Sequence, residues 1–344
     1  MMRFKSLTLL SKMSSLSLVV LCSLALAGSV VSSGQSQDKK PKLSEAEAKA
    51  VNAINTAPDP AAKLAAAGEF VKKYPKSSVR EEVSGYLVGQ IDQVPDATQK
   101  LALAETYQKI FTSEKELEAV RPVVLDAYFD AKRTDEAFAL AASILAKQPE
   151  NVFILSRMLI AGTNEAKRQN PKYIAQSQQY GLKAIELIEA NKKPADMNDT
   201  AWEKQKALLP ALYQNMAILA LVGGNSAEAA TRLEKAVALN PAEAFNYVLL
   251  GSIANEEYQK LAQAQKSMPN GPQKDEALKK AMALLDKVVD LYAHAVGLSE
   301  GKPEYQQIHD QLMQDLTPYY KYRHNQSTEG LQQLIDKYKT PAKP

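Results

Sequence analysis

Between Tyr213 and Pro241 the chain reads YQNMAILALVGGNSAEAATRLEKAVALNP, and no other stretch restricts the fold as much. Tyr213, Met216, Ala217 and Ala220 fall at i, i+3, i+4 and i+7, which is one face of a helix. Ala229, Leu233 and Ala236 follow at intervals of four and three. Between the two sets lies Gly223-Gly224-Asn225-Ser226. A glycine there can close the first helix in a left-handed conformation, and Ser226 is the expected N-cap of the second. Pro241 blocks its continuation. Ala217 and Ala229 leave room for the backbone of a partner helix, where a leucine would push the pair apart. The stretch predicts two closely packed antiparallel helices whose remaining apolar stripe must be covered by neighbours.

Related patterns supply those neighbours. Tyr247, Leu250 and Gly251 repeat the opening of a first helix. Ala137, Ala141, Ile144 and Pro149 repeat the second-helix pattern, preceded by Val124, Leu125 and Tyr128. Ala67, Phe70 and Pro75 do so again, and Phe70–Tyr74 is echoed by Leu334–Tyr338. This order of large, small and proline positions over roughly 34 residues resembles the tetratricopeptide repeat. The resemblance implies an all-α solenoid of about seven antiparallel hairpins forming a right-handed superhelix. Its first helices would line a concave groove that binds a protein or peptide partner.

From Leu43 onward the chain is rich in Ala, Leu, Lys, Glu and Gln, poor in glycine and free of strand-like alternation, which argues for helix throughout. Capping signals divide it. Ser44 with Glu47, Ser78 with Glu81 and Ser113 with Glu116 read as capping boxes. Asp59-Pro60 reads as an N-cap followed by proline at the first helical position. Asp96, Thr134, Asn151 and Ser327 are further N-cap candidates. Helices are predicted near 44–56, 59–74, 78–93, 96–112, 114–132, 134–148 and 151–169, then near 172–191, 199–223, 226–239, 242–267, 274–297, 303–323 and 327–338. Pro122 and Pro210 kink their helices or mark the true starts.

Residues 1–27 read as an export signal. Arg3, Lys5 and Lys12 precede an apolar core from about Leu16 to Leu26, with Ala25-Leu26-Ala27 as a small-x-small cleavage site. Residues 28–42 read as a flexible polar leader, and 43–340 as the helical-repeat domain. The full chain has 42 basic and 39 acidic side chains. Removal of the three basic residues in the signal leaves 39 of each, so no excess positive charge remains for nucleic acid. Cys22 is the one cysteine, so cleavage leaves a chain with no disulfide, thiolate or zinc–cysteine chemistry. The expected location is periplasmic or secreted, in a bacterial envelope, with no transmembrane segment once the signal is cut.

Catalytic motifs are missing: no H-E-x-x-H, G-x-S-x-G, Walker loop or G-x-G-x-x-G occurs. His294, His309 and His324 are read as solvated or capping residues, and no metal or cofactor is expected. The carboxylate pairs Glu256-Glu257 and Glu114/Glu116 are read as solvated helix faces. The run Tyr319-Tyr320-Lys321-Tyr322-Arg323-His324 mixes rings with bases. It could stack on a base or sugar, but it reads better as the seal of a terminal repeat. Trp202 is read as packing against a neighbouring helix.

The positions between packing residues on the first helices are the candidate groove. They are Asp126, Phe129 and Asp130; Phe153 and Arg157; Gln214, Ile218 and Leu221; and Ser252, Asn255 and Glu256. Their mixed polarity suits an extended peptide or partner helix. The chain is therefore expected to be a non-catalytic exported scaffold. An envelope enzyme using a carboxylate on cell-wall polysaccharide and a small-molecule or lipid carrier remain open alternatives.

Overall fold

A computed structural model describes residues 43–195 and 197–339. The export segment, the polar leader and Cys22 lie outside the described residues. Among those described, fifteen α-helices and no strands are formed. No helix among them is long and apolar enough to cross a membrane. The described residues divide into two compact units, with the boundary along the chain between residues 149 and 150.

The first unit holds α1 (Glu45–Thr56), α2 (Pro60–Lys73), α3 (Arg80–Asp92), α4 (Ala97–Ile110), α5 (Glu114–Asp130) and α6 (Thr134–Lys147). Short polar side chains set most of the starts. Asp59 Oδ1 accepts from the Ala62 amide at 2.8 Å, with Pro60 at the first position of α2. Asp96 Oδ1 accepts from the Gln99 amide at 2.7 Å. Ser113 and Glu116 form a complete capping box on α5. The box expected at Ser78 and Glu81 is not made. Ser77 Oγ accepts from the Val79 amide instead, α3 starts at Arg80, and Glu81 turns outward to Lys115 at 2.5 Å. Thr134 is already inside α6, whose cap is Arg133. Each helix packs on the next, and α2 and α3 also reach the next but one. The apolar core runs from Ile54 through Leu64, Phe70, Leu87, Tyr107 and Phe111 to Ala127.

The second unit holds α7 (Val152–Lys167), α8 (Ile174–Glu189), α9 (Asp199–Ala207), α10 (Leu209–Val222) and α11 (Ser226–Leu239). These are followed by α12 (Ala244–Lys266), α13 (Pro272–Ser299), α14 (Gln306–Arg323) and α15 (Leu331–Asp336). The single helix expected over 199–223 is two helices that meet at Leu208. Pro210 has no amide to give to the carbonyl four residues back, so α9 ends at Ala207. In the 213–241 hairpin Gly224 takes the left-handed conformation, with φ +79°. The N-cap of α11 is Asn225 rather than Ser226. Its Oδ1 accepts from the Glu228 amide at 3.1 Å, and its Nδ2 donates to the Glu228 carboxylate at 3.0 Å. Ser327 likewise caps nothing, since α15 begins after Gly330.

Ala217 and Ala229 are both fully buried in one core cluster, as a close helix pair requires. The same need for small residues recurs on α8 and α12. A Cβ on Gly181 would stand 2.6 Å from Met216 Sδ, and one on Gly251 would stand 2.5 Å from the Tyr292 ring. Gly181, Ile185 and Ile188 repeat the four-and-three spacing of Ala229, Leu233 and Ala236. Helices α12 and α13, of 23 and 28 residues, form the most extensive pair in the molecule. Between residues 255 and 284 only Ala277 and Ala281 are buried, so the far half of this hairpin is covered by little beyond itself.

Candidate interaction surface

In the second unit, alternate helices α10, α12 and α14 carry a run of partly buried polar side chains linked by hydrogen bonds. Gln214 on α10 donates from Nε2 to Oδ1 of buried Asn246 on α12 at 2.8 Å. Two turns further along α12 lie Ser252 and Asn255. Both lie close enough to the Tyr292 hydroxyl of α13 to act on it electrostatically. Tyr319 on α14 donates to Asn255 Oδ1 at 2.9 Å and accepts from Gln259 Nε2 at 3.0 Å. The ring of Tyr258 meets that of Tyr319 edge-on, with centroids 6.0 Å apart. One turn before Tyr319, Asp315 stands half-buried beside this group.

The electrostatics of the seam follow from burial. The Tyr292 hydroxyl is pushed far above the usual phenol range by burial, against the Ser252 and Asn255 contacts and with the help of nearby Asp315. Burial also holds the Asp315 carboxyl above the usual range. Its one opposing contact is a long 3.4 Å hydrogen bond from Gln311 Nε2. A buried phenol and a half-buried carboxyl that would both prefer to be neutral thus share one small region.

The predicted groove residues divide three ways. Gln214, Ser252 and Asn255 belong to this seam. Ile218 is fully buried and joins the core, so it has no surface to offer a partner. Helix α10 is packed by α7, α8, α9 and α11, so its apolar stripe is wider than the i, i+3, i+4 pattern allows. Phe153 and Arg157 are half-buried on α7, with the guanidinium 6.0 Å from the ring centre. Asp126 and Phe129 are half-buried on α5 in the first unit. The sequence reading missed Tyr292 and Asp315. A faint signal existed for the second: Asp315 lies three after Leu312 and four before Tyr319, a charge on the flank of a packing stripe.

Other singled-out residues are structural. Glu116 is not on a solvated face. Its carboxylate is buried, pairs with Arg80 Nε at 2.6 Å and Nη2 at 3.0 Å, and accepts from the Ser113 amide. Burial alone would raise this carboxyl, but the Arg80 and Ser113 hydrogen bonds outweigh it and hold it below the usual range. The buried Tyr107 hydroxyl completes the cluster by donating to the Glu116 carbonyl at 3.1 Å.

His294 is not solvated either. It is stacked between Tyr247 and Tyr338, with centroid distances of 3.7 and 4.0 Å. His324 follows the last turn of α14 and stacks on Tyr320 at 3.8 Å. Of the run 319–324, Tyr320 is buried and Arg323 makes a two-pronged pair with Asp286, leaving Tyr322 as the exposed ring. Trp202 is buried and donates to Asn191 Oδ1 at 3.0 Å. Among the described residues no group of three or more His, Cys, Asp or Glu could hold a metal ion.

Compared with protein-family models the chain matches none, and no curated protein matches it.

Proposed function

We propose that this chain is an exported, non-catalytic helical-repeat scaffold that docks a protein or peptide partner along the seam of α10, α12 and α14. The finer architecture we propose is a tetratricopeptide-like solenoid with a right-handed superhelical path, in which these alternate helices are the groove-lining ones. The reading rests on one observation above the rest. Gln214, Ser252, Asn255, Asp315 and Tyr319 are half-buried polar side chains on alternate helices, with Gln214 tied to buried Asn246, where a core would place apolar groups. Polar groups already held in place by neighbours need little further ordering to meet an extended backbone, which favours binding. The periplasmic or secreted location rests on the signal at 1–27.

The test is photo-crosslinking in the native cell from a reactive residue placed at Gln259, beside the seam, and from a control at Leu182. The reading expects a defined protein adduct from Gln259 that Leu182 does not give. Identical adducts from both positions, or none from Gln259, would sink it.

A further inference from the structure

Three other acids of this molecule, buried to exposed, each sit against an arginine. Glu116 faces Arg80, Asp286 faces Arg323, and Glu165 faces Arg168. Among the described residues Asp315 makes no ion pair, and its single contact from Gln311 is long. Its setting is nevertheless built. Helix α12 brings Ser252 and Asn255, α13 brings the Tyr292 hydroxyl, and α14 itself brings Tyr319 one turn away. These groups carry oxygens that can accept a hydrogen bond, and none of them carries a positive charge. A carboxylate partly withdrawn from water, one turn from the Tyr319–Asn255 hydrogen bond and left without a cation, is a receptor for one.

We propose that Asp315, with Asn255, Tyr292 and Tyr319 around it, takes the cationic head of a lysine or arginine from the docked segment. This deepens the docking reading above and rests on it. An ammonium or guanidinium there meets the carboxylate at ion-pair distance and replaces lost hydration with fixed oxygens. The segment that fits is basic at this position.

The carboxyl's raised pKa in the free chain gives the idea a second handle. A bound cation favours the charged carboxylate, so binding draws the proton off, and affinity falls as pH drops through the raised value. The other titratable groups near Asp315 are the phenols of Tyr292 and Tyr319, and burial pushes that of Tyr292 up, away from that range.

The experiment is display of a random dodecapeptide library against the full chain expressed with its own leader, followed by affinity measurement on a selected peptide. The expected result is enrichment of peptides sharing one Lys or Arg. Asp315→Asn should then weaken binding by about tenfold, and norleucine in place of that Lys should do the same. The two changes together should cost no more than either alone, since both remove one contact. Tyr322→Ala, outside the seam, serves as the control and should leave affinity unchanged. If no peptide is enriched, the docking reading itself fails. If enriched peptides lack a basic residue, or Asp315→Asn and norleucine act additively, docking survives and the cation pocket is overturned. Unchanged thermal unfolding of Asp315→Asn separates loss of binding from loss of fold.

Discussion

The two units bury acids in opposite ways. In the first, Glu116 is withdrawn from water and fully occupied, with two bonds to Arg80 and one to the cap of its own helix. In the second, Asp315 is half withdrawn, with one long contact and no cation. Glu116 lies on a helix packed on the two before it, and Asp315 on one packed chiefly on the helix just before it. The difference teaches how to separate a charge that holds the molecule together from one held in readiness. A buried charge with its partner inside the fold is structural, and a buried charge without one points outward.

The sharpest way to break this comparison is to remove Glu116. Glu116→Ala strands the Arg80 guanidinium beside the Tyr107 phenol and takes away half of the capping box. The expected loss is about 3 kcal/mol of unfolding free energy, because one partner of a buried pair is left behind. Glu81→Ala is the natural control. It removes an ion pair to Lys115 whose two side chains are 66% and 74% exposed, and should change stability by less than about 0.5 kcal/mol. Urea unfolding of the two variants checks both. Similar losses would mean that burial does not sort these charges as argued.

The next largest effects fall on the glycines that let helices touch. Gly251→Ala would drive a methyl group into the Tyr292 ring, and Gly297→Ala would place one 2.6 Å from the Ile335 carbonyl oxygen. The first should cost about 2 kcal/mol, as expected for an overpacked core. It should also disturb the seam, since Tyr292 is the ring that must move. The second should lift α15 from α13 and leave the rest intact. Amide exchange would show it as lost protection confined to residues 331–339. Global unfolding in place of local release would refute that assignment.

How far the sequence carried this picture depends on what each residue had to know. The 213–241 hairpin was legible because its small residues sit at fixed intervals, and the side chains of Asp59, Asp96, Ser113 and Asn151 cap as their positions promise. Pro210 announced a boundary, though not that α9 would survive as a separate helix. Ile218 was misplaced because counting along one helix cannot reveal how many neighbours surround it. The seam was half legible. Ser252 and Asn255 could be named, but Tyr292 and Asp315 lie 37 to 63 residues away and meet them only through packing. The stacking of His294 on Tyr338 is hidden for the same reason.

That stack yields a smaller effect with a definite sign. Burial lowers the His294 pKa below its ordinary 6.5, against the pull of Asp290 and with the help of Lys337 just past the end of α15. The folded state therefore binds the proton less readily than the unfolded one. The stabilising contribution is complete above pH 6.5 and declines as pH falls from there towards the lowered value. The phenols of Tyr247 on α12 and of Tyr338 just after α15, which cover the ring, do not titrate in this window. Protection factors for residues 331–339 should fall between pH 7 and pH 5.5 in the parent chain. They should stay level in His294→Phe, which keeps the stack and removes the charge. Equal slopes in both would assign the acid response elsewhere.

The smallest effect separates the units most cleanly. A carboxyl whose pKa is raised on folding contributes stability at low pH and loses it as pH rises through the folded value. At pH 7 the Asp315 charge is thus a burden on the free chain, and Asp315→Asn should unfold at a slightly higher temperature than the parent. The difference should shrink as pH falls through the raised value towards the ordinary 3.8, where the parent carboxyl becomes neutral as well. Glu116→Gln should show the reverse order at pH 7, since there the charge is held by Arg80. A residue whose neutral replacement firms the fold contributes nothing to holding it together. Among the described residues its charge has no ion-pair partner, and a cation supplied from outside would make its burial favourable.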